Sequence, residues 1–161
     1  MPNFVEYDDD DLHMVVPDDL KQKKPPARAS GRKIPSRAFM RPKNRWKNPG
    51  ILTICVTLPT SEEWIQSMRR GFVLTSPTKE WEWEGVTHTA IRVGKCAQGR
   101  EDAVEALSTS SNAITGDVFY FYNTLFTDNG RYVFVEFGGR GPLDEFEQAC
   151  NTVIESIKVK S

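Results

Sequence analysis

The sequence predicts an α+β fold with a mainly antiparallel β-sheet and about three helices packed on its faces. Hairpin patterns dominate the order of the elements, and an Asn129-Gly130 turn between two aromatic segments is a strong hairpin signal. A closing segment from Leu143 carries apolar residues at helical spacing. The chain of 161 residues is long enough to bury a core without disulfides, so we expect one domain over residues 1–161.

The N-terminal third combines two short strands with an irregular segment. Strands are predicted at Phe4–Tyr7 and Leu12–Val16, around an acidic turn. A basic, proline-rich loop or insertion follows at 21–49, where five prolines disfavour regular structure apart from a short extended piece at Ile34–Phe39. The β-branched run Gly50–Leu58 is the clearest strand of the chain.

The middle of the chain predicts two helices and a hairpin. A capping pattern at Thr60 starts a helix that ends near Gly71, and a brief strand is expected at Phe72–Thr75. Alternation over Lys79–Ile91 indicates a hairpin with one solvated face. A second helix is expected at Arg100–Leu107.

The C-terminal third is the most regular part. Val118–Phe126 and Tyr132–Phe137 are predicted strands, and the glycine-rich run Gly138–Pro142 is expected to break the second one. A third helix begins near Leu143, and Ile157–Lys160 is expected to close a final strand.

Three of these segments resemble the Mog1/PsbP/DcrB-like group. They are the meander Asp117–Phe137 with the helix that ends in Val153–Val159, the early strand and turn Met14–Leu20, and the strand containing Thr53–Val56. The resemblance covers about half the chain by pattern and implies an antiparallel sheet sandwiched by helices. It also implies mostly non-enzymatic roles, namely GTPase binding, assembly of photosynthetic complexes, envelope lipoproteins and secretion accessory factors. It names no single ligand and therefore assigns no functional residue, and a similar fold is weak evidence of function in any case.

Charge is strongly segregated along the chain. Residues 1–19 hold seven acidic and no basic residues, whereas residues 20–61 hold eleven basic and no acidic ones. A positive segment of this kind suits an acidic protein partner, a nucleic acid or an anionic membrane surface. A solvated linker that offsets the acidic regions remains the alternative.

The candidate partner-binding residues combine this segment with a tryptophan pair. They are Lys21, Lys23, Lys24, Arg28, Arg32, Lys33, Arg37, Arg41, Lys43, Arg45, Trp46, Lys47, Trp81 and Trp83. Trp81 and Trp83 share one face of a strand, where they could stack on a ligand or pack in the core. The acidic run Asp8–Asp11 could bind calcium, form a solvated turn or pair with the basic loop.

No catalytic pattern stands out. His13 and His88 have no neighbour at metal-ligand spacing, and a nucleophilic group of Cys55 or Cys96 with His88 has no support in the sequence. The run Gly138–Gly141 could cradle an anion, or it could be a turn that needs positive φ angles. We therefore expect no enzyme activity, no cofactor and no metal, with an enzyme that has a cryptic site as the alternative.

The remaining expectations concern compartment and function. Three cysteines without CxxC spacing favour free thiols and a reducing compartment. No apolar run approaches the roughly 20 residues that span a bilayer, and no basic-apolar leader opens the chain. We expect a soluble, cytoplasmic protein, with an exported protein whose leader has been removed left open. The preferred function is non-catalytic binding or accessory assembly with a protein partner, and anionic-surface binding through 21–47 is the alternative. The sequence leaves the oligomeric state unknown.

Overall fold

The computed structural model describes residues 2–24, 36–74, 80–83, 86–95, 100 and 103–161, and only the backbone at 71–74, 80–83, 86, 88, 90 and 92–95. The described strands are β1 (Phe4–Asp8), β2 (Leu12–Pro17), β3 (Lys21–Lys23), β4 (Ser36–Met40), β5 (Gly50–Thr57), β6 (Glu80–Trp83), β7 (Val86–Lys95), β8 (Val104–Asn112), β9 (Val118–Asp128), β10 (Arg131–Arg140) and β11 (Lys158–Val159). The helices are α1 (Glu62–Leu74) and α2 (Leu143–Ser156), and a 3-10 turn spans Lys43–Arg45.

The strands form two antiparallel sheets. The large sheet has eight strands in the order β3-β4-β5-β10-β9-β8-β7-β6, and the small sheet has the order β1-β2-β11. Neighbours along the chain pair as hairpins at β1–β2, β6–β7, β7–β8, β8–β9 and β9–β10. This confirms the predicted α+β class with a mainly antiparallel sheet.

The main core lies between the small sheet, α2 and one face of the large sheet. Leu12 and Met14 of β2, Phe146 and Val153 of α2, and Val135 of β10 belong to one buried cluster. All five side chains are fully buried. Because α2 carries its apolar residues along one stripe, this one helix links the two sheets.

Helix α1 packs against the opposite face of the large sheet. Ile65 is buried against Leu125 and Phe134, with Trp64 and Met68 alongside. The Trp64 and Phe134 rings meet edge to face at 5.7 Å. Trp64, Ile65 and Met68 thus form the apolar face by which α1 packs on the sheet.

The β9–β10 hairpin is also confirmed, and its turn explains why. Asn129 and Gly130 both have positive φ, 50° and 73°. Asparagine and glycine tolerate this conformation, which matches the twist of the flanking strands. The strand β10 nevertheless runs through Gly138 and Gly139, with a register shift between them, so the predicted break there is wrong.

Glycine has a packing role at Gly139 and a conformational one at Gly141. A Cβ on Gly139 would lie 2.4 Å from the Phe146 ring and 2.5 Å from the Gly50 carbonyl oxygen. Gly141 has a φ of +103°, which ends β10 before α2. The run therefore acts as a close-packed strand end and turn.

The helix predicted at Arg100–Leu107 is wrong, because β8 begins at Val104. Val104 and Ala106 contact the α1 cluster, whereas Leu107 is buried in the main core. Within the described residues there are consequently two α-helices instead of about three.

Two smaller expectations around α1 also fail. The side chain of Ser61, rather than Thr60, caps the helix, since its Oγ accepts from the Trp64 N–H at 3.3 Å. Residues Phe72–Leu74 continue the helix instead of forming a strand. No helix in the described part of the chain is long and apolar enough to cross a membrane.

Candidate functional site

One face of the large sheet is only partly covered by α1. Residues paired directly across antiparallel strands lie on the same face. One such row crosses four strands through Ala38, Cys55, Glu136 and Asn123. This row lies beside the row that contains Phe134, on which α1 packs.

A second row runs parallel to the first, one step further from α1. It contains Met40, Thr53, Gly138 and Phe121. We call the two rows, together with Phe119, the open face. Its side chains differ from those of an ordinary solvated sheet face, because large apolar groups stand among small and polar ones.

The open face contains a groove of about 520 Å³. It is lined by Lys23, Lys24, Ala38, Phe39, Met40, Thr53, Ile54, Cys55, Phe121, Asn123, Glu136, Phe137 and Gly138. The missing side chain at Gly138 keeps the floor open, since a Cβ there would lie 2.7 Å from Thr53 Oγ1. Cys55 lines this groove and is half-buried.

A smaller apolar groove of about 170 Å³ adjoins the first. It is lined by Trp46, Leu52, Thr53, Phe119, Phe121, Gly138 and Gly139. Trp46 is fixed in place because its Nε1 donates to the Arg41 carbonyl oxygen at 2.9 Å. Phe121 lines both grooves and is 44% exposed, so its ring forms the ridge between them.

Exposed basic side chains flank the open face at two places. Lys21 and Lys23 pair with Met40 and Ala38, which places both lysines on the open face at the edge strand β3. Lys24 also lines the larger groove. Lys43, Arg45 and Lys47 are exposed around the 3-10 turn beside Trp46.

Arg37 does not belong to this basic surface. Its side chain is 9% exposed, and its Nε donates to Asp9 Oδ2 at 2.6 Å while Nη2 donates to Asp11 Oδ2 at 2.6 Å. Arg37 is therefore engaged within the chain, and its role in partner binding stays a prediction. The acidic turn pairs with the basic segment, which was one of the three alternatives for Asp8–Asp11.

We call the group formed by Asp9, Asp11 and Arg37 the clasp. Asp9 lies at its centre. Burial alone would raise the pKa of Asp9, but hydrogen bonds from Arg37, the Asp11 N–H, Tyr7 and the Leu12 N–H hold that pKa well below its usual range. The carboxylate is therefore charged and fully engaged at neutral pH.

Arg41 is also withdrawn from the surface. It is 4% exposed, its Nε lies 2.8 Å from Asp19 Oδ2, and its Nη1 donates to the carbonyl oxygens of Asn48 and Pro49. Arg41 therefore holds the β4–β5 connection together, and its part in a binding surface stays a prediction.

Several predicted site residues lie outside the description. Arg28, Arg32, Lys33 and Cys96 are not among the described residues, nor are the side chains of Trp81, Trp83 and His88. The backbone places Trp81 and Trp83 on β6, at the opposite edge of the large sheet from β3. The tryptophan strand and the basic edge thus lie at opposite edges of the sheet, seven strand spacings apart.

The open-face residues themselves were missed at the sequence level. Phe119 and Phe121 alternate with Tyr120 and Tyr122 on β9, so both faces of this strand carry aromatic rings. A strand with aromatic rings on both faces needs a cover on both sides, and α1 covers only one end of the outer face. The aromatic residues on both faces of β9 were thus the signal in the sequence that could have predicted the open face.

No family model matches the chain, and no curated protein matches it. Among solved structures, the Saccharomyces cerevisiae Ran-binding protein Mog1p is similar, with a TM-score of 0.51 and 16% sequence identity. The alignment covers 99% of this chain and 96% of Mog1p. The chain has the Mog1-like fold. The fold expected from the Mog1/PsbP/DcrB-like resemblance is thereby confirmed, and the open face is one outer face of this Mog1-like sheet.

Proposed function

We propose that the chain is a non-catalytic, protein-binding accessory domain that contacts its partner through the open face. The observation that carries the proposal is Phe121, an aromatic ring that is 44% exposed at the junction of two apolar grooves. Aromatic anchors in apolar depressions are typical of the centres of protein interfaces.

The surroundings of Phe121 support a protein partner. The apolar groups Met40, Phe119 and Trp46 lie around it, and the polar groups Thr53 and Asn123 lie in the same grooves. This mixture of an apolar centre with a polar and charged rim is the usual anatomy of a protein interface. The similar fold of Mog1p, whose name describes a Ran-binding protein, also supports binding of a protein.

A polyanion such as a nucleic acid is a weaker proposal. Two of the predicted basic contacts, Arg37 and Arg41, are neutralised by Asp9, Asp11 and Asp19 within the chain. Phosphate backbones are bound by exposed cations, and an apolar groove adds little to such binding.

The experiment compares two variants that remove apolar groups of similar exposure. Phe121→Ser removes the ring on the open face, and Val5→Ser removes a side chain that is 48% exposed on the small sheet. Tagged wild type and both variants are incubated with an extract of the source cells, and recovered proteins are quantified by mass spectrometry.

We expect a small set of proteins to be recovered by wild type and by Val5→Ser but depleted with Phe121→Ser. The same set recovered equally by all three proteins would contradict the assignment of the open face.

A further inference from the structure

We propose that the open face binds an acidic segment of its partner, with one large apolar side chain seated beside Phe121. This inference rests on the proposed function, because it specifies which kind of protein segment the face accepts. It depends on charge complementarity and on the shape of the larger groove.

The charge is one-sided. Lys21, Lys23 and Lys24 are exposed along the β3 edge, and Lys43, Arg45 and Lys47 are exposed at the 3-10 turn. Among the described residues that line the two grooves, Glu136 supplies the one carboxylate. A segment rich in Glu or Asp is attracted to such a face, and a basic segment is repelled from it.

The apolar walls of the larger groove call for an apolar side chain in the bound segment, in addition to its acidic residues. The larger groove of about 520 Å³ has apolar groups from Met40, Ala38 and Phe121 along its walls. Apolar area removed from water is the main favourable term in association, and rings pair well edge to face or offset. A Phe, Trp or Leu side chain therefore fits between Met40 and Phe121.

The floor of the groove offers polar contacts to the rest of the segment. The Thr53 hydroxyl and the Asn123 amide line it, next to the open space above Gly138. These groups can exchange hydrogen bonds with the peptide backbone, because that backbone carries both donors and acceptors. A bound segment would thus have its acidic side chains near the lysines and its anchor in the groove.

The experiment is an NMR titration of the isotope-labelled chain with three short synthetic peptides. The first is built of Glu and Ser with one central Phe, the second has Ser in place of that Phe, and the third has Lys in place of each Glu. We expect the first peptide to shift amide signals of Met40, Cys55, Phe121 and Asn123. It should bind at least about tenfold more tightly than either of the others.

Two variants of the chain, a charge reversal and a control, test whether the lysines attract the acidic peptide. Lys23→Glu/Lys24→Glu should weaken binding of the acidic peptide by about tenfold and reduce its dependence on salt. Val5→Ser should bind as wild type does. The spectrum of each variant shows directly whether it is folded.

Three results would overturn the inference: no shift with the acidic Phe peptide, equal binding of the basic peptide, or equal binding of the peptide without Phe. A heparin fragment that binds to the same lysines more tightly than the acidic Phe peptide would assign the face to polyanions instead. These outcomes are distinct from failure of the proposed function. Partner recovery that depends on Phe121 but is unchanged in Lys23→Glu/Lys24→Glu would retain protein binding and remove only the acidic segment.

Discussion

Replacing Asp9 by Asn tests the clasp between the small and large sheets. In the wild type, Asp9 Oδ1 accepts from the backbone N–H groups of Asp11 and Leu12 at 2.7 and 3.0 Å, and Oδ2 accepts from Arg37 Nε at 2.6 Å. Asn retains an oxygen for the backbone donors. Its NH₂ group then faces the Arg37 guanidinium, so that a donor meets a donor.

The expected cost follows mainly from the lost contact with Arg37, and the Tyr7 hydroxyl, which donates to the same Oδ2 at 2.8 Å, loses its acceptor as well. A hydrogen bond between charged groups contributes about 1.5–3 kcal/mol. Because the Asp9 side chain is 23% exposed, we expect a value near the middle, about 2 kcal/mol lower free energy of unfolding at about pH 7. Asp10→Asn is the matched control, since Asp10 is exposed in the same turn, and it should cost less than about 0.5 kcal/mol.

The pH dependence gives a second test with a defined sign. The folded-state pKa of Asp9 is depressed, so its contribution is complete above the unfolded-state pKa of about 3.9 and is lost as the pH falls toward the folded-state value. Urea unfolding of wild type and Asp9→Asn should therefore differ by a constant amount above about pH 5 and converge below about pH 4. Equal stability of the two proteins at neutral pH, or an undiminished difference in acid, would show that the charged Asp9 does not stabilise the fold through Arg37.

Three further predictions concern packing and reactivity. Gly139→Ala should lower the free energy of unfolding by about 1–3 kcal/mol in urea denaturation, because the new methyl group collides with the Phe146 ring; unchanged stability would contradict the described packing. Burial raises the pKa of the Cys150 thiol, so alkylation of the native protein at neutral pH should modify Cys55 well before Cys150, and equal rates by mass spectrometry would be inconsistent with it. Arg100→Ala should lower the free energy of unfolding by about 1 kcal/mol and speed hydrogen exchange in the last turn of α2. The reason is that the Arg100 Nη2 donates to the carbonyl oxygens of Ile154 and Ile157 at 2.6 and 2.8 Å. Exchange at the wild-type rate in that turn would count against this cap.

The parts of the fold that the sequence predicted correctly depend on local signals. The β9–β10 hairpin follows from the backbone freedom of Asn129 and Gly130, and α2 follows from an uninterrupted apolar stripe. Both signals lie within a few residues of the structure that they specify.

The secondary-structure predictions are wrong where contacts with residues distant in sequence determine the structure. At Val104–Leu107 a short apolar run fits a helix or a strand, and pairing with β7 and β9 on both sides selects the strand. The buried Glu105 in this strand is stabilised by a hydrogen bond from the Tyr122 hydroxyl, a partner that no local pattern indicates.

The candidate site also depends on contacts between residues that are distant in the chain. A count of charges assigns Arg37 and Arg41 to a basic surface, yet Asp9, Asp11 and Asp19 neutralise them from distant positions in the chain. The open face depends on the register of β4, β5, β10 and β9, which brings Met40 and Phe121 onto one row. Register between distant strands is not encoded in any single segment.

Site-specific photo-crosslinking in living source cells tests directly whether the open face contacts a partner. A photoreactive phenylalanine analogue replaces Phe121 in one protein and Val5 in another, because the two positions are similarly exposed on different sheets. Partner binding through the open face predicts a discrete crosslinked protein species from position 121 and none from position 5. Crosslinks from position 5 alone, or the same species from both positions, would show that the open face is not the contact surface.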